Sequence, residues 1–202
     1  MTSFNIRPFH SADLTALYRI CLLTGDNGSD ATHLYHDPDL IGHFFAAPYA
    51  LLEPELCFVL TADEMPVGYI LGCANSAEFY QTCEQQWFPT LRARYPKPTE
   101  PNNWKDGDKW IINLIHEGIL PEGAPANYPA HLHIDLLPIG QKGGWGRKLM
   151  ETFWAQLRKM DVPGVHLGVG KANANAVGFY QHIGYHIVEE GEFGFILGKH
   201  LQ

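Results

Sequence analysis

Residues 131–150 run HLHIDLLPIGQKGGWGRKLM: an alternating strand-like segment, a glycine-rich turn, then the start of a helical pattern. Leu132, Ile134 and Leu136 share one face of that strand, and His131, His133 and Asp135 share the other. The helix continues to about Met160, with Leu149, Phe153, Leu157 and Met160 at spacings of three and four. An unobstructed helix amino end carries unpaired backbone N–H groups and the positive end of the helix dipole, which suits a pyrophosphate. Glycines let the chain come close to phosphates and adopt positive φ. The turn is neither G-x-G-x-x-G nor a G-K-[ST] P-loop, so those nucleotide-binding classes lose support.

Working outward, Phe4 to Phe9 predicts a first strand. Ser11 is a candidate N-cap for a helix through Leu14, Leu17, Tyr18, Cys21 and Leu22. Thr24 to Ser29 breaks it, and Asp37-Pro38 predicts the start of a second helix. Leu56 to Ala62 and Val67 to Ala74 form a hairpin pattern around Asp63 to Pro66. After the long helix come a strand at Val165 to Val169, a helix at Asn173 to Ile183, and two strands near Tyr185 to Val188 and Phe193 to Leu197. This order predicts one α/β (α+β mixed) domain over residues 1–202, with a mixed, mostly antiparallel sheet flanked by helices. Residues 76–128 fall outside the alternation and read as a helical insertion between strands 3 and 4, rich in aromatics and proline.

Two spacings carry a family resemblance. Gln141-x-x-Gly144-x-Gly146 matches the [QR]-x-x-G-x-[GA] signature of the GNAT superfamily of N-acetyltransferases, and Asn173-x-x-Ala176-x-x-Phe179-Tyr180-x-x-x-Gly184-Tyr185 follows at the expected distance. Trp87-Phe88-Pro89, Arg94 to Pro98, Ile115-His116-Glu117 and Tyr128-Pro129-Ala130 resemble the acetyltransferase-like domain of O-GlcNAcases and its free-standing bacterial relatives.

The resemblance implies a GNAT fold and acetyl-CoA as cosubstrate, held by Leu136, Leu137, Gln141, Lys142, Gly143, Gly144, Trp145, Gly146, Arg147, Asn173 and Tyr180. It also implies that Tyr180 protonates the leaving thiolate. Many superfamily members carry a Glu or His base on the face that here holds Ala130 and Leu132. Asp135 is the candidate base instead, because a carboxylate on a central strand is costly to bury unless paired or useful; a structural Asp is the alternative. The acceptor is expected between Thr24–His36 and the insertion, beside Asp135 and Tyr180. A primary amine on a small molecule or peptide is the implied acceptor. A CoA-binding or protein-interaction module without catalysis is the competing class.

Composition constrains the rest. The 202 residues carry 46% hydrophobic and 18% charged residues, a globular balance. A formal charge of −8 without a basic cluster argues against nucleic acid as partner and favours a neutral or cationic acceptor. No apolar run approaches the roughly 20 residues that span a bilayer. No secretory signal pattern stands at the amino terminus, so a cytoplasmic location is expected. Cys21, Cys57, Cys73 and Cys83 read as buried free thiols. His131-x-His133 and His33-x-x-His36 lack completing ligands, so no metal is expected. A homodimer is left open.

Overall fold

The computed structural model describes residues 2–100, 102–118 and 127–202; Pro101 and the 119–126 part of the anticipated insertion lie outside the described residues. The chain builds β1 (Phe4–Pro8), α1 (Leu14–Thr24), α2 (Leu40–Phe45), α3 (Ala47–Leu52), β2 (Cys57–Ala62) and β3 (Met65–Cys73). Then follow α4 (Ser76–Thr82), α5 (Phe88–Arg94), α6 (Asp106–Glu117), β4 (Ala130–Leu136), α7 (Trp145–Lys159), β5 (Gly164–Gly170), α8 (Ala174–His182), β6 (His186–Glu190) and β7 (Gly194–His200). One seven-stranded sheet runs β1-β2-β3-β4-β5-β7-β6, antiparallel except for the β4–β5 pair.

Strand periodicity sorts the core into two layers. Val59, Tyr69, Leu71 and Cys73 point toward α1, α2, α3 and the insertion helices. Leu60, Ile70, Leu132 and Leu167 point toward α7. The apolar stripe of α7, Leu149, Met150, Phe153, Trp154 and Leu157, is buried there. Gly72 makes that approach possible: a Cβ at this position would stand 2.5 Å from Phe153 Cζ. Truncating the fully buried Phe153 to alanine would cost about 3–5 kcal/mol.

Two local starts differ from the sequence expectation. His10, not Ser11, caps the first helical turn through Ala12 N–H, and Asp13 returns the contact to the His10 N–H. Asp37 caps its turn by accepting the Asp39 N–H, and α2 begins only at Leu40. Insertion helices α4, α5 and α6 lie between β3 and β4 and pack on the α1–α2 layer. Buried Asp108 on α6 fastens them by accepting the His36, Asp37 and Lys105 N–H groups at 2.9–3.2 Å. All four cysteines are buried and unpaired. Among the described residues, no helix is long and apolar enough to cross a membrane.

Candidate active site

β4 and β5 pair at only two positions, Ala130↔Val165 and His131↔His166. β4 nevertheless stays paired with β3 out to Leu136↔Gly68, and β5 with β7 out to Gly170↔Gly194. The two parallel strands therefore part beyond His131 and His166, leaving a wedge in the middle of the sheet. On the α1 side of the sheet, β4 carries His133 and Asp135 beyond its last pair with β5, and β5 carries exposed Gly168 and Gly170; of these, Asp135 lines the cavity found there. The glycines project no side chain, so the wedge stays open.

A cavity of about 750 Å³ occupies this region, within the usual range for small-molecule sites. At one end Gln141, Lys142, Gly144, Trp145, Gly146 and Arg147 line it, and Asn173, Phe179 and Tyr180 line its side. Gly144 sits at the N-cap of α7 with φ 74°, a conformation that disfavours residues with a Cβ. The first helical backbone bond runs from Lys148 N to Gly144 O. The Trp145, Gly146 and Arg147 N–H groups thus have no backbone partner among the described residues, and they stand at the positive end of a 15-residue helix. Trp145 is fixed by stacking on Phe4 at 5.3 Å, with Lys148 Nζ 4.0 Å from its ring centroid. Gln141 Nε2 donates to Leu136 O, tying the turn to the end of β4.

Two of the residues implied by the resemblance stand outside the cavity wall. Leu137 N–H is bonded to Val67 O, and Gly143 packs against the Trp145 ring. Asn173 is the cap of α8, its Oδ1 accepting the Ala176 N–H at 3.1 Å.

Thr24, Asn27, Gly28 and Ser29 line the other end of the cavity. The Asp26–Ser29 bridge closes this loop, and Asn27 Oδ1 reaches to within 3.7 Å of where a Gly170 Cβ would stand. The insertion was expected to border this cavity, but no described residue of 76–128 lines it. Trp87 donates to His43 O, Trp104 packs on the insertion core, and exposed Trp110 rests on Phe45. Trp87 and Trp110 staple the insertion to α2.

Asp135 and Tyr180 both face the cavity. Tyr69 donates its hydroxyl to Asp135 Oδ2 at 2.7 Å. Burial raises the Asp135 carboxyl above its ordinary value, against the pull of that hydrogen bond. Burial, and then the Asp135 charge, push the Tyr180 phenol up, so it is a neutral donor at physiological pH. Tyr180 Oη has no hydrogen-bond partner among the described residues. Tyr69, which holds Asp135, was missed by sequence reasoning; only the β3–β4 register, with Tyr69 opposite Asp135, reveals it. No group of three or more His, Cys, Asp or Glu side chains among the described residues is placed to hold a metal.

The arrangement has close counterparts. The solved structure of SsHAT superposes with a TM-score of 0.90 at 40% identity, covering 99% of both chains. The chain belongs to the GNAT superfamily of N-acetyltransferases. The rat protein O-GlcNAcase is 26% identical over 204 residues, 98% of this chain; the chain spans 22% of that relative's length. A putative acetyltransferase from Salmonella typhimurium, solved with its cofactor acetyl-CoA, shares the GNAT fold at a TM-score of 0.54 and 14% identity, covering 98% of this chain and 94% of its own. No family model matches the chain.

Proposed function

We propose that this GNAT protein transfers the acetyl group of acetyl-CoA to a primary amine. The observation that carries the reading is the single cavity wall joining the bare amino end of α7 to Asp135 and Tyr180. Phosphates of the cosubstrate would rest on the N–H groups of Trp145, Gly146 and Arg147, and Asn173 would contact the pantetheine. The thioester would then lie in the wedge, within reach of Tyr180. Acyl transfer develops thiolate on the leaving sulfur, and a neutral phenol in an apolar setting can protonate it. Asp135, with no cation partner among the described residues, supplies the anion on which an ammonium group docks. The acceptor is a small molecule or a peptide amine.

Calorimetric titration with acetyl-CoA, followed by an amine screen read as free CoA release, tests this reading. Saturable binding and turnover with at least one amine are expected. Gly144→Glu is the control: it adds bulk and a like charge beside the phosphates and should abolish binding. Unchanged affinity in that folded variant would remove the turn from the site. Binding without turnover across the screen would favour the module without catalysis, to which the apolar Ala130 and Leu132 already point.

A further inference from the structure

Acetyl transfer to a primary amine leaves the rest of the acceptor undefined, and the charges around the cavity narrow it. Three charged side chains line the wall: Lys142, Arg147 and Asp135. Both cations belong to the glycine-rich turn and the first turn of α7, where the phosphates would rest. Asp135 is the remaining charge. Beyond it the wall is finished by Thr24, Asn27, Gly28 and Ser29, which are uncharged. Two more carboxylates flank that loop. Asp30 Oδ1 accepts the Thr32 N–H at 2.8 Å, and Asp26 Oδ2 stands 3.8 Å from His33 Nε2. The cavity is thus positive at the phosphate end and negative at the acceptor end.

Among the described residues, the cations of neighbouring segments are committed elsewhere. Lys171, which follows Gly170 at the end of β5, pairs with Glu190 at 2.7 Å. Lys105 Nζ donates to His33 O and Tyr35 O at 3.0 and 2.9 Å. His131 and His133 on β4 share the Tyr49 hydroxyl at 2.7 and 3.2 Å, and burial holds both below the ordinary histidine value, so neither is charged at neutral pH. Met1, Pro101 and the 119–126 stretch ILPEGAPA bring no Lys, Arg or His side chain. Neutral partners are present instead: Ser29 Oγ and Asn27 Oδ1 make no hydrogen bond among the described residues, and both residues are exposed on the cavity wall.

We infer that the acceptor is a primary amine with neutral, hydrogen-bonding substituents, and that the site rejects amino acids, whose carboxylate lies one carbon from the amine. The inference deepens the acetyl-transfer reading and rests on it. An ammonium group that docks on Asp135 draws a carboxylate on the neighbouring carbon toward the same anion. That carboxylate gives up hydration for a site that returns no cation, and the repulsion grows as water is excluded. An amino alcohol of the same skeleton keeps the Asp135 contact, and its hydroxyl finds Ser29 Oγ or Asn27 Oδ1. Attraction for the amine and repulsion of the acid together set the selectivity. The transfer itself is the same for every acceptor: the amine nitrogen bonds to the acetyl carbon and the carbon–sulfur bond breaks. Of the ammonium protons, one stays on the amide nitrogen, one leaves on the CoA sulfur and one passes to solvent.

Matched acceptors test this on the wild-type protein at saturating acetyl-CoA, with free CoA release as the readout. Each set holds an amino alcohol, the carboxamide and the acid of one skeleton: alaninol, alaninamide and alanine; leucinol, leucinamide and leucine; tyrosinol, tyrosinamide and tyrosine. The carboxamide keeps the size of the acid and removes its charge. kcat/KM for the alcohol and the carboxamide should exceed that for the acid by about 10²-fold. A ratio below about tenfold overturns the inference. If none of these is a substrate, the same sets serve as competitors of the best amine from the screen. The carboxamides should then inhibit at concentrations where the acids do not, and equal inhibition overturns it. Ser29→Lys places a cation at the acceptor end without touching the turn. The preference against the acid, read by turnover or by inhibition, should fall about tenfold while acetyl-CoA affinity stays within about twofold; a preference unmoved by the added charge also overturns the inference. Protein that binds acetyl-CoA yet acetylates no amine in the screen overturns the acetyl-transfer reading and the inference with it, a result distinct from parity of acid and carboxamide.

Discussion

Tyr69 and Asp135 face each other across the β3–β4 pair, and the Tyr69 hydroxyl donates to Asp135 Oδ2 at 2.7 Å. The bond orients the carboxylate but does not offset its burial, since the carboxyl remains above its ordinary value of 3.8. A folded-state value above the unfolded one means the fold prefers the neutral acid. The stability this brings is fully present below about pH 3.8 and is lost as pH rises through the folded value. At neutral pH the ionised Asp135 is therefore a destabilising group retained at the cavity.

Asp135→Asn should accordingly raise Tm at neutral pH, with the gain shrinking as pH falls toward 4. The amide keeps an oxygen for Tyr69, so the hydrogen bond survives. Acceptor KM should rise sharply while acetyl-CoA affinity holds, because the docking anion is gone. Calorimetric scans at neutral and acid pH decide the stability half; a lower Tm at neutral pH would make the carboxylate a structural anchor.

Tyr180 tests the other side of the reaction. Its ring is wedged between Phe179 at 5.4 Å and Tyr185 at 5.7 Å, contacts that phenylalanine keeps. Tyr180→Phe should leave Tm and acetyl-CoA affinity near wild type and lower kcat by about 10²-fold or more, as loss of a general acid does. If kcat is insensitive when chemistry limits the rate, Tyr180 serves packing alone.

The order of elements along the chain and the turn were legible in the sequence because both rest on short-range signals. Continuous apolar runs mark β2 and β3, period-3.6 spacing marks α7, and Gly144 shows the turn. The cavity's far end was half legible: Thr24 and Asn27 to Ser29 were expected there and line it, whereas the insertion was expected there too and none of its described residues does. Aromatics interleaved with arginines look the same in sequence whether they wall a pocket or staple helices. Asp108 decides the matter by binding α6 to residues 36 and 37, and nothing local to Asp108 signals that. Tyr69 and Tyr49 were invisible for a related reason. Each sits in an apolar run, and its polar partner is set by a register or a helix placement 66 or more residues away.

The buried histidines make a prediction about acid. Burial, then the charges of His133 and His166, hold His131 well below the ordinary histidine value; burial alone brings His133 to about 4. Tyr49, Tyr80, Ser76 and Cys73 surround His131 and offer no anion to stabilise an imidazolium. A depressed folded-state value means the unfolded chain takes protons first. The stability is present above about pH 6.5 and is lost as pH falls from there toward 4. At 1.36 kcal/mol for each unit between 6.5 and 4, and with a reduction because His133 is only half-buried, its share is about 1–3 kcal/mol. Asp135 works in the opposite direction over part of this range, so the Asp135→Asn background isolates the histidines. Urea unfolding in that background at about pH 7, 6 and 5 should show a steady fall, and His133→Gln should make it shallower, with His131 left to account for the rest. Equal unfolding free energies at about pH 7 and 5 would mean that His131 and His133 take up protons inside the fold as readily as in the unfolded chain.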